Sequence, residues 1–196
     1  ATDPNGMIFA GTRGGGVYYS EDVGSTWNSM NEGLTNQFVY ALTVTDEGLI
    51  FAGTMGGGVF GWEVSSQSWI ALNNGIEMPW INCLASNDQG DVFAGTFEGG
   101  GVYRSMDNGN SWVLINNGLT TTYVASLTIG PDQTIYAGTF GGGVFRSTDN
   151  GDTWEHKSAG IEVPYILSLT SRSAGIVYAG TDFGGGVYRS TDHGDT

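Results

Sequence analysis

The apolar residues of this chain occur in short segments that are separated by turns rich in glycine, asparagine and aspartate. One stretch of the chain contains four such segments, at residues 123–129, 134–139, 144–147 and 153–157. Short apolar segments with turn residues between them are typical of β-strands. Because no segment keeps its apolar residues at helical spacing for about three turns, the pattern predicts no helix.

The same pattern returns every 42 or 43 residues along the chain. A Gly-Thr pair marks this period, and its glycines are Gly11, Gly53, Gly95, Gly138 and Gly180. Self-similarity at such a period indicates a repeat architecture, and four short strands in each repeat are typical of a β-propeller blade. The sequence therefore predicts an all-β fold, a β-propeller of four-stranded blades, with about five blades' worth of a longer propeller in this chain.

The repeat also predicts where each blade begins and ends. We take the first strand of each repeat, which precedes the Gly-Thr strand, as the innermost one. The first part of the chain then supplies strands two to four of a blade, and the last part supplies strands one to three. We expect one propeller region, residues 1–196, that is truncated at both ends. The predicted complete blades are residues 38–74, 80–117 and 123–159, and the partial blades are residues 1–34 and 165–196.

Composition and charge narrow the range of functions. The chain has 34 glycines and 4 prolines, and its 20 Asp and Glu against 6 Lys and Arg give a net charge of −14. Nucleic acid is not an expected partner, because phosphate binding needs clustered Lys and Arg. No apolar run approaches the roughly 20 residues of a membrane-spanning helix. Cationic peptides, metal ions and neutral sugars stay open as ligands, and the acidity also favours solubility.

Three repeats carry an eight-residue box, Ser-x-Asp-x-Gly-x-Ser/Thr-Trp, which we call the Asp box, and the last repeat carries its first seven residues. Its carboxylate can accept backbone N–H bonds across a tight turn, and its glycine can adopt a positive φ without steric cost. The tryptophan that follows is expected to bury its ring under that turn. These roles are structural and require no ligand. The predicted structural residues of the Asp boxes are Asp22, Trp27, Asp107, Trp112, Asp149, Trp154 and Asp192.

The second repeat departs from the Asp box. It has Val64 in place of the aspartate and Ser66 in place of the glycine, although it keeps the tryptophan, Trp69. The turn chemistry is therefore lost while the large apolar ring is retained. We expect this blade to keep its fold with a looser third turn.

The Asp boxes and the adjoining Ile-Tyr-Ala-Gly-Thr and Gly-Gly-Val-Tyr-Arg-Ser-Thr-Asp strings resemble the Asp-box, or BNR, repeats of sialidase-type propellers. The resemblance covers essentially the whole chain. It implies a propeller fold like those of sialidases, xyloglucan-cleaving glycosidases, sortilin-type receptors and photosystem II assembly factors. It does not choose among their functions, because one fold supports many activities.

Two columns of side chains are candidates for ligand binding, and both are expected on the face that carries the triple-glycine loops. One column is an aromatic residue at the entry to each first strand, and the other is the residue before each triple glycine. Aromatic rings around a channel mouth can stack on sugar faces or hold a peptide. The alternative is that the recurring aromatic residue packs between neighbouring blades. The candidate residues, with two acids in the inserted loops, are Arg13, Met55, Trp80, Phe97, Glu98, Tyr123, Phe140, Tyr165, Asp182 and Phe183.

We predict no catalytic residue, no metal and no cofactor. Arg104, Arg146 and Arg189 are one position of the repeat seen three times, so they should radiate outward and not converge as a sialidase triad does. The aspartates of the Asp boxes are committed to turns, and glycoside cleavage needs two carboxyl groups across one groove. The aspartates lack the spacing of an EF-hand, and the two histidines lack companions for zinc.

Cysteine usage and composition indicate where in or outside the cell the protein is located. The single cysteine, Cys83, excludes an internal disulfide, and other repeats have Ala41, Ser126 or Ser168 in its place, so we expect a small buried thiol. A surface rich in Ser, Thr, Asn and Gly with one Lys suggests an exported protein. The absence of an Asn-x-Ser/Thr site favours a bacterial source. We therefore expect a secreted or cell-surface bacterial protein, with the periplasm as the alternative.

The function predicted from these features is a binding or structural module that engages protein or glycan through the face of the triple-glycine loops. Two other functions stay open. One is a glycoside hydrolase acting on a polysaccharide, and the other is self-assembly of copies through open blade edges, which unpaired strands promote.

Overall fold

The computed structural model describes residues 1–173 and 175–196, which form strands, turns and loops without a helix. The strands that lie in four-stranded sheets are β4 (Val39–Val44), β5 (Ile50–Thr54), β6 (Gly58–Glu63), β7 (Ser68–Ala71), β8 (Ile81–Ser86), β9 (Val92–Thr96), β10 (Val102–Ser105), β11 (Val113–Leu114), β12 (Val124–Ile129), β13 (Ile135–Thr139), β14 (Gly143–Ser147) and β15 (Glu155–His156). Those in three-stranded sheets are β1 (Ile8–Thr12), β2 (Gly16–Ser20), β3 (Asn28–Ser29), β16 (Ile166–Ser173), β17 (Ile176–Thr181) and β18 (Val187–Ser190).

Each sheet is an antiparallel meander in which strands that follow one another in the chain are also neighbours in space. The first strands of successive sheets lie side by side, since β4 contacts β8, β8 contacts β12 and β12 contacts β16. The sheets therefore radiate from a common axis that is lined by their first strands. This arrangement is a β-propeller, so the predicted fold class and the choice of innermost strand are confirmed. In the described residues, no helix has the length and apolar character that a bilayer crossing requires.

The recurring Gly-Thr pair is explained by the packing of one blade on the next. A Cβ atom on Gly53 would lie 2.5 Å from Cγ2 of Ile81, in the first strand of the following blade. Gly95 faces Val124 in the same way, with 2.7 Å from the added Cβ to Cγ1. Glycine allows this close approach of two sheets, which a larger residue would prevent.

The hydrophobic core lies in layers between neighbouring sheets. Phe93 and Ile115 of one blade pack with Phe145 and Trp154 of the next, and all four are buried. Similar clusters join the first blade to the second, the second to the third, and the fourth to the fifth. Stability is therefore distributed along the chain as a series of interfaces between adjacent repeats.

The Asp box forms the turn that its sequence predicts. In the third blade, the Ser105 hydroxyl donates a hydrogen bond of 2.8 Å to Asp107, and the N–H of Gly109 donates one of 2.8 Å to Ser105 Oγ. The N–H and hydroxyl of Ser111 donate to the two oxygens of the same carboxylate, at 2.8 and 2.6 Å. These hydrogen bonds hold the pKa of Asp107 below its usual value. The carboxylate is thus the acceptor around which the turn closes.

The tryptophans contact the preceding blade, and burial of each ring under its own turn stays a prediction. Trp69 Nε1 donates a hydrogen bond of 2.7 Å to the carbonyl of Met30, in the preceding blade. Trp154 does the same to Ile115, also at 2.7 Å. The ring of Trp154 is buried in a cluster with Phe93 and Ile115 of that blade. Trp27, which has no blade on that side in this chain, is 43% exposed.

The third turn of the second blade closes a longer hairpin than the Asp-box turns do, and its looser dynamics stay a prediction. The β6–β7 ladder contains four residue pairs, from Phe60↔Ala71 to Glu63↔Ser68, whereas β10 and β11 pair at two. Trp62 lies edge-on to Trp69, with 5.5 Å between the ring centroids. In place of an Asp-box turn, the second blade has a longer regular hairpin, which the contact between the two indole rings stabilises.

Candidate binding face around the propeller axis

The triple-glycine loops fix one face of the propeller. In the third blade, Asn116 Oδ1 accepts a hydrogen bond of 2.9 Å from the N–H of Val102, and its Nδ2 donates one of 3.0 Å to the carbonyl of Gly100. Gly101 has a φ of 82°, and a Cβ atom there would collide with the Asn116 side chain. The loop therefore requires glycine, and a side chain from the end of the fourth strand holds it in place. Phe97, just before the loop, is positioned by this anchoring.

The two predicted columns of side chains meet on this face. The N–H of Phe97 donates a hydrogen bond of 2.9 Å to the carbonyl of Trp80, and Phe140 donates one of 3.0 Å to Tyr123. Phe140 also forms an isolated bridge with Tyr165 in the next blade, as Met55 does with Trp80. Each blade that has its first strand therefore contributes one residue from each column, and the first blade contributes Arg13 alone.

The aromatic members of both columns form a continuous line of rings, which we call the aromatic arc. Successive ring centroids along it lie 6.3, 4.2, 5.1, 4.8 and 4.9 Å apart, mostly in edge-to-face or tilted arrangements. Such arrangements are favourable for aromatic pairs. Phe183, at one end, is 70% exposed. The members of the aromatic arc, in order, are Trp80, Phe97, Tyr123, Phe140, Tyr165 and Phe183.

A cavity of about 420 Å³ opens beside the first half of the aromatic arc, and we call it the axial cleft. Its volume lies within the range of ligand sites, which runs from about 300 to 1,000 Å³. Five of the predicted residues line it, while Phe140, Tyr165 and Phe183 continue the aromatic arc beyond it. The residues that line the axial cleft are Arg13, Tyr40, Met55, Trp80, Ile81, Asn82, Phe97, Tyr123, Ala125 and Leu167.

A third column of lining residues was missed by the sequence reasoning. Each first strand has a β-bulge near its start, between Val39 and Ala41 in the second blade, and the extra residue there is Tyr40. A bulge re-aims one side chain, and here that side chain lines the axial cleft. The available signal was variation between repeats, because this position changes from blade to blade. The residues of this column are Tyr40, Asn82, Ala125 and Leu167.

Polar groups of the axial cleft are few and held in place. The Arg13 guanidinium lies over the ring of Tyr40, 5.2 Å from its centroid, in a cation–π contact. The Asn82 amide donates hydrogen bonds of 3.3 Å to the carbonyls of Val124 and Ala125 in the next blade. Burial raises the pKa of the Tyr123 hydroxyl, and the nearby charge of Glu98 raises it further. The axial cleft is thus a preformed aromatic site with a small number of oriented polar groups.

The inserted loops place their acids at the margin of this face. Glu98 is exposed and has a φ of 56°, and Asp182 accepts a hydrogen bond of 2.8 Å from the N–H of Phe183. Neither residue lines the axial cleft. Among residues 1–173 and 175–196, no group of three or more His, Cys, Asp or Glu side chains is arranged to hold a metal ion.

The arginines of the repeat lie between blades and away from the axial cleft. Arg104 pairs with Asp152 of the following blade at 2.9 Å, and Arg146 pairs with Asp195 at 3.2 Å. Each arginine therefore joins its own blade to the next one. They do not converge on a common point, which agrees with their equivalent places in the repeat.

The comparisons with known proteins concern the fold. No protein family matches the chain, and no curated protein matches it in sequence. Among solved structures, the extracellular domain of the one-component system BT4673 from B. thetaiotaomicron is similar with a TM-score of 0.76 at 18% identity. The alignment covers 94% of this chain and 26% of that one. The chain therefore spans about a quarter of that neighbour's length.

Two further structures share the architecture. An ancestral GH74 enzyme gives a TM-score of 0.71 at 24% identity, over 91% of this chain and 26% of the enzyme. YCF48 bound to D1 peptide gives a TM-score of 0.71 at 18% identity, over 96% of this chain and 62% of YCF48. At these identities the likeness establishes the propeller fold alone.

Proposed function

We propose that this chain is a binding module that engages protein or glycan in the axial cleft. The observation that carries the proposal is the axial cleft itself, where aromatic residues from three columns meet at the axis. We further propose that the protein belongs to the Asp-box propellers and that it is secreted or displayed on the surface of a bacterium. Three of the similar solved structures are extracellular domains of two B. thetaiotaomicron proteins, the one- or two-component systems BT4673 and BT3049, which supports that location.

The composition of the axial cleft supports binding of an uncharged or weakly charged ligand. Trp80, Phe97 and Tyr123 supply apolar and aromatic surface, while Asn82 and Arg13 supply the groups that would orient a ligand. Aromatic anchors of this kind carry much of the binding energy at protein interfaces, and they also stack on sugar rings. The variation between blades makes the site asymmetric, which recognition of one particular ligand requires.

The competing function is hydrolysis of a polysaccharide, for which Glu98 is the candidate acid because it lies in the inserted loop beside Phe97. Glycoside hydrolases place two carboxyl groups about 5–10 Å apart across the scissile bond. The residues that line the axial cleft include no Asp or Glu. Binding is therefore the function that this geometry supports better.

Screening with both ligand classes tests the proposal. The chain is applied to an array of plant and bacterial glycans and to a displayed library of random peptides. Hits are then titrated against Trp80→Ala and Phe97→Ala. We expect affinity to fall at least about tenfold in both variants.

Val113→Ala is the matched control, because Val113 is exposed on an outermost strand. It should bind as the unaltered chain does. Equal affinity of all these proteins for every hit would place binding elsewhere and refute the proposal. Release of reducing sugar from a bound glycan, abolished by Glu98→Gln, would favour the hydrolase instead.

A further inference from the structure

The interface between the first and second blades differs at one position from the interfaces that follow the third and fourth blades, which have an arginine there. Arg104 pairs with Phe93 in its sheet and Arg146 pairs with Tyr136. Tyr19 occupies the same place in the first blade, where it pairs with Phe9. The interfaces after the third and fourth blades thus contain a guanidinium. The second blade has Gly61 at this position, and the first blade has a phenol.

The guanidinium has a defined role in the interfaces after the third and fourth blades. The Arg104 side chain is only 11% exposed, and it donates a hydrogen bond to the carbonyl of Asn150 in the Asp-box turn of the next blade. It also forms the ion pair with Asp152 of that turn. A cation therefore lies between the sheet and the turn of the following blade after the third blade, and Arg146 makes the equivalent contacts after the fourth.

The turn that would cover this position is also changed in the second blade. In the third blade, the Asp-box turn lies so close to the preceding sheet that a Cβ atom on Gly109 would be 2.8 Å from Leu72 Cδ1 and 3.0 Å from Phe51 Cε1. The corresponding residues of the first blade, one repeat earlier, are Met30 and Phe9. The longer β6–β7 hairpin does not fold over them as an Asp box does.

The result is a groove of about 770 Å³ between the first two blades, which we call the first-interface groove. Phe9 and Met30 form its buried floor, and Val64, which replaces the aspartate of the Asp box, is 74% exposed at its edge. Its volume is in the range of ligand sites. The side chains that matter for recognition are Tyr19, Trp62 and Val64, with the carboxylates of Asp3, Glu21 and Glu32.

The charged side chains that line the first-interface groove are all acidic. Its lining includes three carboxylates and no Lys or Arg. Residues 1–79 contain eight Asp and Glu but a single Lys or Arg, Arg13, which lies in the axial cleft beyond the other end of β1. Glu21 and Glu32 are both exposed, so their charges face solvent and an incoming ligand. The charge of the groove is therefore complementary to a cationic ligand.

We propose that the first-interface groove binds a cationic segment of a partner protein, with an Arg or Lys side chain beside an apolar anchor. The cation would lie near Glu21 and Glu32 and against the aromatic rings of Tyr19 and Trp62, which favour cations over their faces. The apolar anchor would contact Val64 and the floor. The partner would thus supply the kind of charge that Arg104 and Arg146 supply after the third and fourth blades. This site is independent of the axial cleft.

Short capped peptides provide the probe. Binding of acetyl-Leu-Arg-Leu-Arg-amide to the 196-residue chain is measured by chemical-shift perturbation and by calorimetry. The same peptide with citrulline in place of arginine is the uncharged control. We expect the arginine peptide to bind at least about threefold more tightly, since two ion pairs at a solvent-exposed rim contribute modestly. We expect that difference to shrink when NaCl is raised from about 0.05 to 0.5 M.

Matched variants locate the site. Glu21→Gln with Glu32→Gln should remove the preference for arginine over citrulline, and Trp62→Ser should weaken both peptides. Glu77→Gln with Glu162→Gln makes the same charge change at exposed positions away from the groove and should leave binding unchanged. No binding of the arginine peptide at millimolar concentration, or equal effects of the two double variants, would refute the proposal. Loss of peptide binding when a neutral glycan is added, or when the chain self-associates, would show that another ligand occupies the groove and would also refute the proposal.

Discussion

The indole nitrogen of Trp112 donates a hydrogen bond of 2.9 Å to the carbonyl oxygen of Leu72, in the preceding blade. The backbone N–H of Trp112 also donates to that blade, at 2.9 Å to the carbonyl of Asn74. The tryptophan column therefore connects successive blades, and the ring of Trp112 is almost fully buried there.

Trp112→Ala should lower the free energy of unfolding by about 3–5 kcal/mol, the cost of deleting a buried aromatic ring. Trp27→Ala is the matched control, because its ring is 43% exposed and no preceding blade receives it in this chain. Its cost should be about 1 kcal/mol or less. Urea denaturation followed by circular dichroism measures both values. Equal losses would contradict the assignment of the tryptophans to the interfaces between blades.

The packing of Gly53 against Ile81 predicts a clash that a second substitution relieves. Gly53→Ala should destabilise the chain by about 1–3 kcal/mol, because its Cβ would lie 2.5 Å from Ile81 Cγ2. Ile81→Ala removes the obstructing atom. The double variant should therefore lose less stability than the two single variants together. Additive losses in denaturant titrations would show that blade spacing does not depend on this contact.

The aspartates of the Asp boxes predict a change of stability in acid. Hydrogen bonds from Thr26 and Ser20 lower the pKa of Asp22 to about 2 from an ordinary value of 3.8. A carboxyl group whose pKa is lowered on folding stabilises the fold above the unfolded value, and that contribution is lost as pH falls through the folded one. Stability due to Asp22 should thus decline between pH 3.8 and about 2.

Carboxyl-carbon NMR should place the titration midpoint of Asp22 near 2, and Asp22→Asn should reduce the dependence of the unfolding midpoint on pH in this window. Asp46→Asn is the control, because Asp46 is an exposed aspartate outside the Asp boxes. A midpoint near 4 for Asp22 would contradict the hydrogen bonding described above.

Cys83 should be unreactive in the folded protein. The residue keeps some solvent contact, but its thiol is embedded 3.9 Å from the carbonyl oxygen of Val124, and burial raises its pKa to about 12. The thiolate is the reactive species, so iodoacetamide at pH 8 should modify the native chain very slowly. Modification should proceed at the normal rate in urea. Mass spectrometry measures the alkylation in both conditions. Rapid alkylation without denaturant would show that the thiol is accessible.

Sequence reasoning found the aromatic arc because its members recur at the period of the repeat. It did not find Tyr40 or Asn82, since a bulge depends on the pairing register of two strands, which residue types alone do not specify. It likewise did not find the contact of Trp112 with Leu72, because that contact joins repeats that are about 40 residues apart in sequence. The first-interface groove was missed for the same reason. Its departures at Tyr19 and Val64 lie in different repeats and become neighbours only when two blades stack.

The sequence by itself determined the propeller, because a hairpin turn built from aspartate, serine and glycine is a local structure and a fixed period repeats it. The pairing of Asp107 with Ser111 needs no information from elsewhere in the chain. Only the tertiary structure decided which surfaces between blades are filled and which are open. That outcome depends on how side chains from separate repeats pack, as Phe9 and Trp62 do in the first-interface groove. Such packing depends on the volumes of side chains that come into contact only after folding.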